Sequence, residues 1–253
     1  MTLPHYFSGF FLCLVTHSCY ADEVRVFAAG AAKHAVETIA PAFQQATGHT
    51  LRASYDTVGA LRDKVLQTAV GEAADVVILS DAAVAALRSA KRLATDPAHS
   101  IGRVVVALAV PKDAALPDLS TPEALRQALL TAPSIAFADP ARGATAGTHF
   151  AKVLEALDIT EAVKSKTTML SFGVDVIRAV SEGKYALGVS QSSEIMQHPG
   201  IRFAGGLPAP HALSTGYSAA LATDNAAAKQ WLAFIASPEG MRVFASSGFV
   251  AAP

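Results

Sequence analysis

Asp75-Val76-Val77-Ile78-Leu79, residues 75–79, is the stretch that decides the fold. Four consecutive apolar residues, three of them β-branched, follow one acid with no alternation of polar and apolar positions. Such a run is too short for a helix and reads as a strand buried on both faces, the situation of a parallel sheet covered by helices. The segments before it repeat the theme. Val24 to Ala28 reads as a strand, and Ala32 to Thr47 as a helix with Val36, Ile39, Ala40 and Phe43 on one face and Gly48 at its stop. Thr50 to Tyr55 reads as a second strand and Ala60 to Ala69 as a second helix. Three strand-helix steps make a half-domain.

After it, the valine-rich run Arg103 to Val110 ends at Pro111 and a fresh series begins. Helices are expected over 122–130, 148–157 and 174–181, and strands over 134–137 and 186–190. The break Gly205-Gly206-Leu207-Pro208-Ala209-Pro210 precedes a strand over 215–222 and a helix over 226–236. The predicted fold class is therefore α/β, with two doubly wound α/β lobes around a cleft. Lobe one is expected to comprise residues 22–103 plus 210–253, and lobe two residues 104–209.

With 51% hydrophobic and 16% charged residues in 253, the chain has the composition of a packed globular protein. Its net charge of -1, with Lys and Arg scattered, offers no footprint for nucleic acid. The first 21 residues lack Lys, Arg, Asp and Glu, and Phe7 to Val15 has the length of a signal-peptide core rather than a membrane span. Cleavage is expected after Ala21, giving an exported, periplasmic chain. Cys13 and Cys19 both fall in this leader, so the mature chain has no thiol chemistry. Lipidation of Cys19 is the alternative, although the preceding residues lack the usual leucine. The histidines show no metal-ligand spacing, and no cofactor is implied.

Ligands in open α/β sheets sit beyond the carboxyl ends of strands, at helix starts. The first such loop has Gly30 and Ala31, where backbone can approach a ligand, and Lys33 at a helix start, a position that favours a nearby anion. The second has Thr57, Val58 and Gly59, with Asp56 also readable as a plain cap. The third, Asp139 to Thr148, contains Arg142, Thr145, Ala146 and Gly147. Its backbone N–H groups can converge on an anion while Arg142 pairs with a carboxylate; the alternative is a tight turn with a solvated arginine. Gln191 follows another strand and reads equally as ligand contact or helix cap. Serine-hydrolase, zinc-protease, P-loop and dinucleotide motifs are all missing.

Val26-Phe27-Ala28-Ala29, Ala74 to Asp81, Asp139-Pro140 through Ala146-Gly147, Leu187-Gly188-Val189 and Ser237-Pro238-Glu239-Gly240 together resemble the periplasmic molybdate-binding protein family. That family is a branch of the type II solute-binding proteins. The resemblance implies a type II periplasmic-binding-protein fold, a monomeric receptor for a small anionic solute and a membrane permease of an ABC importer as partner, with no catalytic residue. It also implies backbone donors at Ala146 and Gly173. Three side-chain donors are absent: Ala31 and Val58 stand where the family has serines, and Gln191 where it has a tyrosine. An organic anion is therefore expected in place of molybdate. A cleft enzyme or a ligand sensor on the same fold is the alternative reading.

Overall fold

The computed structural model describes residues 21–251; the expected leader up to Tyr20, with Cys13 and Cys19, lies outside the described residues. The first half runs β1 (Glu23–Ala29), α1 (Lys33–Thr47), β2 (Thr50–Asp56), α2 (Val58–Gln67), β3 (Val76–Ser80) and α3 (Asp81–Ser89), then the long β4 (His99–Pro111). The second continues with α4 (Pro122–Thr131), β5 (Ile135–Ala138), α5 (Thr145–Ala156), α6 (Thr160–Lys164), β6 (Thr167–Leu170), α7 (Gly173–Ser181), β7 (Leu187–Gln191), α8 (Ser192–Met196) and β8 (Ile201–Gly206). The chain returns through β9 (Ser214–Leu221), α9 (Ala226–Ala236) and α10 (Pro238–Ser246).

The strands follow the order β2-β1-β3-β9-β4-β7-β5-β6, with β8 also on β4. β1 pairs in parallel with β2 and β3, and β5 in parallel with β6 and β7, while β9 runs antiparallel to β3 and β4. Every residue of β3 is buried, as its unbroken apolar run requires. β4 belongs to both lobes. Up to Val105 it pairs with β9, and from Val106 it pairs with β7, with β8 joining at Ala107. The two lobes therefore share one hydrogen-bonded ladder at their junction.

Each lobe has its own core. In lobe one Phe43 from α1 meets Trp231 and Phe234 of α9 edge to face, at 5.1 and 5.6 Å between centroids, so the carboxyl-terminal helices close the lobe that the first strands began. In lobe two Phe137 and Phe150 make the same kind of contact at 5.2 Å. Buried Asp75 ties the start of β3 to β1, receiving the Arg25 guanidinium at 2.8 Å, and to Thr223 after β9 at 3.0 Å. Burial pushes its carboxyl up, but the bonds from Arg25 and Thr223 outweigh this and hold it below the usual carboxylate range.

α3, α6, α10, β6 and β8 go beyond the elements expected from the sequence. β6, paired only with β5, is an edge strand with no fully buried residue, so no continuous apolar run marks it. α3 is short, and its start at Ser80, whose hydroxyl accepts the Ala83 N–H at 3.4 Å, hides behind the apolar run of β3.

Phe43→Ala empties the centre of the lobe-one aromatic cluster. Urea melts are expected to show a loss of about 3–5 kcal/mol, the cost of truncating a fully buried phenylalanine.

Candidate functional site

The parallel strands of both lobes point their carboxyl ends at the junction. There β1 runs into a 3-10 turn at Gly30–Ala32, β2 into α2, and β7 into α8, while α5 starts at Thr145 and α7 at Gly173. First-turn N–H groups have no acceptor inside their own helix, so these starts bring backbone donors and positive dipole ends to the junction, some of them taken up by caps and by the lobe contact. Between them lies a cavity of about 50 Å3.

The lobes touch beside this cavity. The Gly59 N–H donates to the Gly143 carbonyl at 3.1 Å, and the Thr57 hydroxyl donates to the Arg142 carbonyl while accepting the Ala60 N–H as the cap of α2. A Cβ on Gly59 would stand 2.7 Å from the Gly143 Cα, and Gly143 itself sits at φ +70°. Side chains larger than hydrogen at 59 or 143 would hold the lobes apart.

Of the residues singled out in the sequence, Gly30, Ala31, Thr57 and Val58 line the cavity from lobe one, and Thr145, Ala146, Gly173 and Gln191 from lobe two. The other four are placed elsewhere. Lys33 turns outward to Glu37 at 3.9 Å and lies over the Tyr55 ring. Gly59 forms the lobe contact. Gly147 lets α5 pack on β5, because a Cβ there would fall 1.8 Å from the Ala138 carbonyl oxygen. Arg142 lies outside the cavity wall: its guanidinium stacks over Phe172 at 4.8 Å and reaches Asp56 of the other lobe at 3.4 Å. The geometry makes it a clasp between lobes. No Lys, Arg or His is among the lining residues.

The sequence did not single out Phe172, Ser190, Glu194 and Tyr217, all in the wall; Asp56, read there as a plain cap, also lines it, while Thr57 caps α2. Glu194 stands three residues after Gln191, the spacing by which a side chain reaches back to the start of its helix, and that spacing was the available signal. Its Oε2 accepts the Ser190 hydroxyl and the Gln191 N–H, the latter at 3.3 Å, and no described residue donates to Oε1. Its remaining accessible surface opens on the cavity, with protein packed closely around it. Burial pushes the Glu194 carboxyl above its usual range, against the opposing pull of the Ser190 and Gln191 bonds. Tyr217, brought in from β9, is 1% exposed. Burial first, and the Glu194 charge second, push its hydroxyl far up, so it is neutral. Gln191 is 4% exposed; its carboxamide oxygen is turned to the Glu194 N–H as one half of a capping box, without reaching hydrogen-bond geometry, and its nitrogen has no partner among the described residues. An unpaired amide nitrogen in the wall of a cavity marks a place built for something polar.

Among the described residues no three His, Cys, Asp or Glu side chains are grouped to hold a metal, and no helix is long and apolar enough to cross a membrane.

Residues 24–250 match the bacterial extracellular solute-binding protein family, and the chain belongs to it. A Pseudomonas sp. protein named aconitate isomerase is 28% identical over 237 residues, which cover 90% of this chain and 87% of that one. Among solved structures, the Azotobacter vinelandii periplasmic molybdate-binding protein superposes with a TM-score of 0.70 at 18% identity, covering 91% of this chain and all of that one. The substrate binding protein of an ABC transporter from Agrobacterium tumefaciens superposes with a TM-score of 0.72 at 16% identity, covering 90% of this chain and 78% of that one. At such identities the likeness is one of fold, the two-lobed periplasmic-binding architecture expected from the sequence.

Because the fold favours the protonated form of Glu194, its contribution to stability is fully present below the ordinary carboxylate pKa and is lost as pH rises through the raised one. Glu194→Gln removes this dependence. Thermal melts from pH 4 to pH 8 are expected to show the variant gaining on the native chain as pH rises.

Proposed function

We propose that this chain is the periplasmic solute-binding component of an ABC importer, exported with its leader cut after Ala21, and that as a monomer it closes around one small organic anion. The observation that carries this reading is the unpaired Gln191 carboxamide nitrogen facing a cavity ringed by helix starts. Backbone dipoles hold an anion without a counter-charge, and a closed, water-poor site strengthens them. Thr145 and Tyr217 add neutral hydroxyls at the wall. Family membership supports delivery of the solute to a membrane permease.

The preference for an organic anion rests on the donors at hand. Ala31 and Val58 line the cavity but carry no hydroxyl, so a tetrahedral oxyanion would find few side-chain donors. A planar carboxylate can use the donor N–H of Gln191 with the helix-start amides, and its carbon skeleton can use the apolar wall of Ala29, Ala138 and Phe172.

A second reading is favoured by Glu194 and by the relative named aconitate isomerase. A carboxyl with one oxygen free at the cavity can take and return a proton. In that reading the chain converts a bound polycarboxylate instead of delivering it.

A thermal-shift screen with molybdate, sulfate, malonate and cis-aconitate is expected to give a small shift for molybdate and a large one for a carboxylate. Sub-micromolar molybdate binding would overturn the organic-anion preference, and a flat response to all four would overturn the anion reading. Chromatography of the cis-aconitate sample decides the second reading by the appearance of the trans isomer.

Gln191→Leu separates ligand contact from packing. Loss of a hydrogen bond to a charged ligand is expected to cost about 1.5–3 kcal/mol of binding, while removal of an unpaired buried nitrogen leaves folding stability equal or higher. Arg142→Ala, which breaks a partly exposed interlobe pair, is expected to cost at most about 1 kcal/mol in either measurement.

A further inference from the structure

We propose that the cleft binds its anion together with one proton, carried on Oε1 of Glu194 and donated to the ligand. The inference rests on the anion reading above and deepens it, assigning Glu194 as the residue that sets which protonation state of the solute is accepted.

The position of Glu194 is built. It is the third residue of α8, and its carboxyl is wedged between two other helix starts. A Cβ on Gly30 would lie 2.8 Å from Oε1, and a Cβ on Gly173 would lie 2.2 Å from Oε2. Both neighbours are glycines, which leave the space the carboxyl fills. Oε2 is occupied by two donors, the Ser190 hydroxyl and the Gln191 N–H. Oε1 has none among the described residues and belongs to a side chain in the cavity wall. A carboxyl so divided has one oxygen fixed as an acceptor and the other left to carry a proton.

A negative Glu194 in the wall of an anion site would repel the ligand; no Lys, Arg or His belongs to that wall, and Arg142, outside it over Phe172, is taken up by Asp56 at 3.4 Å. From β9 comes the Tyr217 hydroxyl, which is neutral, and from the end of β2 comes Asp56, another acid. On α7, Asp175 is paired with Arg178 at 2.6 Å; Lys33 beyond the first turn faces Glu37; Arg202 of β8 donates to the Ala114 carbonyl at 3.0 Å. A proton is what remains to remove the repulsion. For a fully ionised anion it comes from solvent: Oε1 gains one proton as the anion enters, and the new O–H donates to a ligand oxygen. For an anion that carries its own acidic or hydroxyl hydrogen, ionised Glu194 accepts that hydrogen and no proton is taken up. The solute class is therefore an anion with an oxygen that shares a proton with Glu194, and affinity for fully ionised anions falls as pH rises.

Titration calorimetry of the full chain with malonate and with sulfate, from pH 5 to pH 9 and in buffers of different ionisation heat, counts the protons taken up. Approach to one proton per ligand is expected on the alkaline side of the Glu194 titration, with affinity falling about tenfold per pH unit there. In Glu194→Gln, whose amide donates permanently, the pH slope and the proton count are expected to vanish. Binding that is independent of pH in the native chain, or a slope that survives in Glu194→Gln, overturns the inference and leaves the anion reading intact. Failure of both anions to bind at any pH overturns the anion reading for these probes and the proton inference with it.

Discussion

One strand holds the architecture together. β4 is hydrogen-bonded to β9 along its first part and to β7 and β8 along its second, so the two lobes are tethered through one strand they share. With the sheets joined there, the carboxyl ends of the parallel strands on either side face the same gap, and the starts of α2, α5, α7 and α8 reach it. The cleft is a consequence of that one shared strand, and ligand sites in such sheets fall where strand direction delivers helix starts.

What the helix starts provide is charge without charged side chains. A cationic side chain near the cavity would bind an anion in open solvent and would be costly to bury unpaired. Backbone donors have neither drawback, because they are already desolvated and fixed by their helices. The lobe contact at Gly59 and Gly143 fits the same scheme. Only two glycines allow backbones to meet at that distance, and the meeting excludes water from donors that are worth more in its absence. Arg142 and Asp56 pair across the same contact at the rim, where both remain partly exposed and their pairing contributes little.

Much of the site lay within reach of the sequence because it is made of loops that follow strands. Gly30, Ala31, Thr57, Val58, Thr145, Ala146, Gly173 and Gln191 stand at the cavity, since a strand followed by small residues and a helix start can be found from periodicity and composition alone. Direction was another matter. Arg142 and Lys33 sit in the right loops but turn their side chains to Asp56 and Glu37, and nothing in a linear pattern separates inward from outward on a helix start. Glu194 was hidden for a different reason: a glutamate three residues after a cap residue is ordinary helix chemistry. Only the approach of Gly30 and Gly173 turns it into the wall of a cavity.

The sequence by itself determined the fold class. β3 can be buried on both faces because residues 76–79 are all apolar, and the alternation of such runs with amphipathic stretches admits an α/β sheet covered by helices. It determined as well that residues 22–253 lack cysteine and that no phosphate loop or hydrolase elbow interrupts the strands. The tertiary structure decided the rest. Tyr217 stands more than twenty residues from Glu194 along the chain and beside it in space; the Gln191 carboxamide nitrogen is buried without a partner; Arg142 finds Asp56 only across the gap. Local pattern encodes what each segment buries, since burial is a property of one residue and its own period. Pairing across a cleft depends on where two lobes meet, and that is set by the register of β4 against partners far away in the sequence.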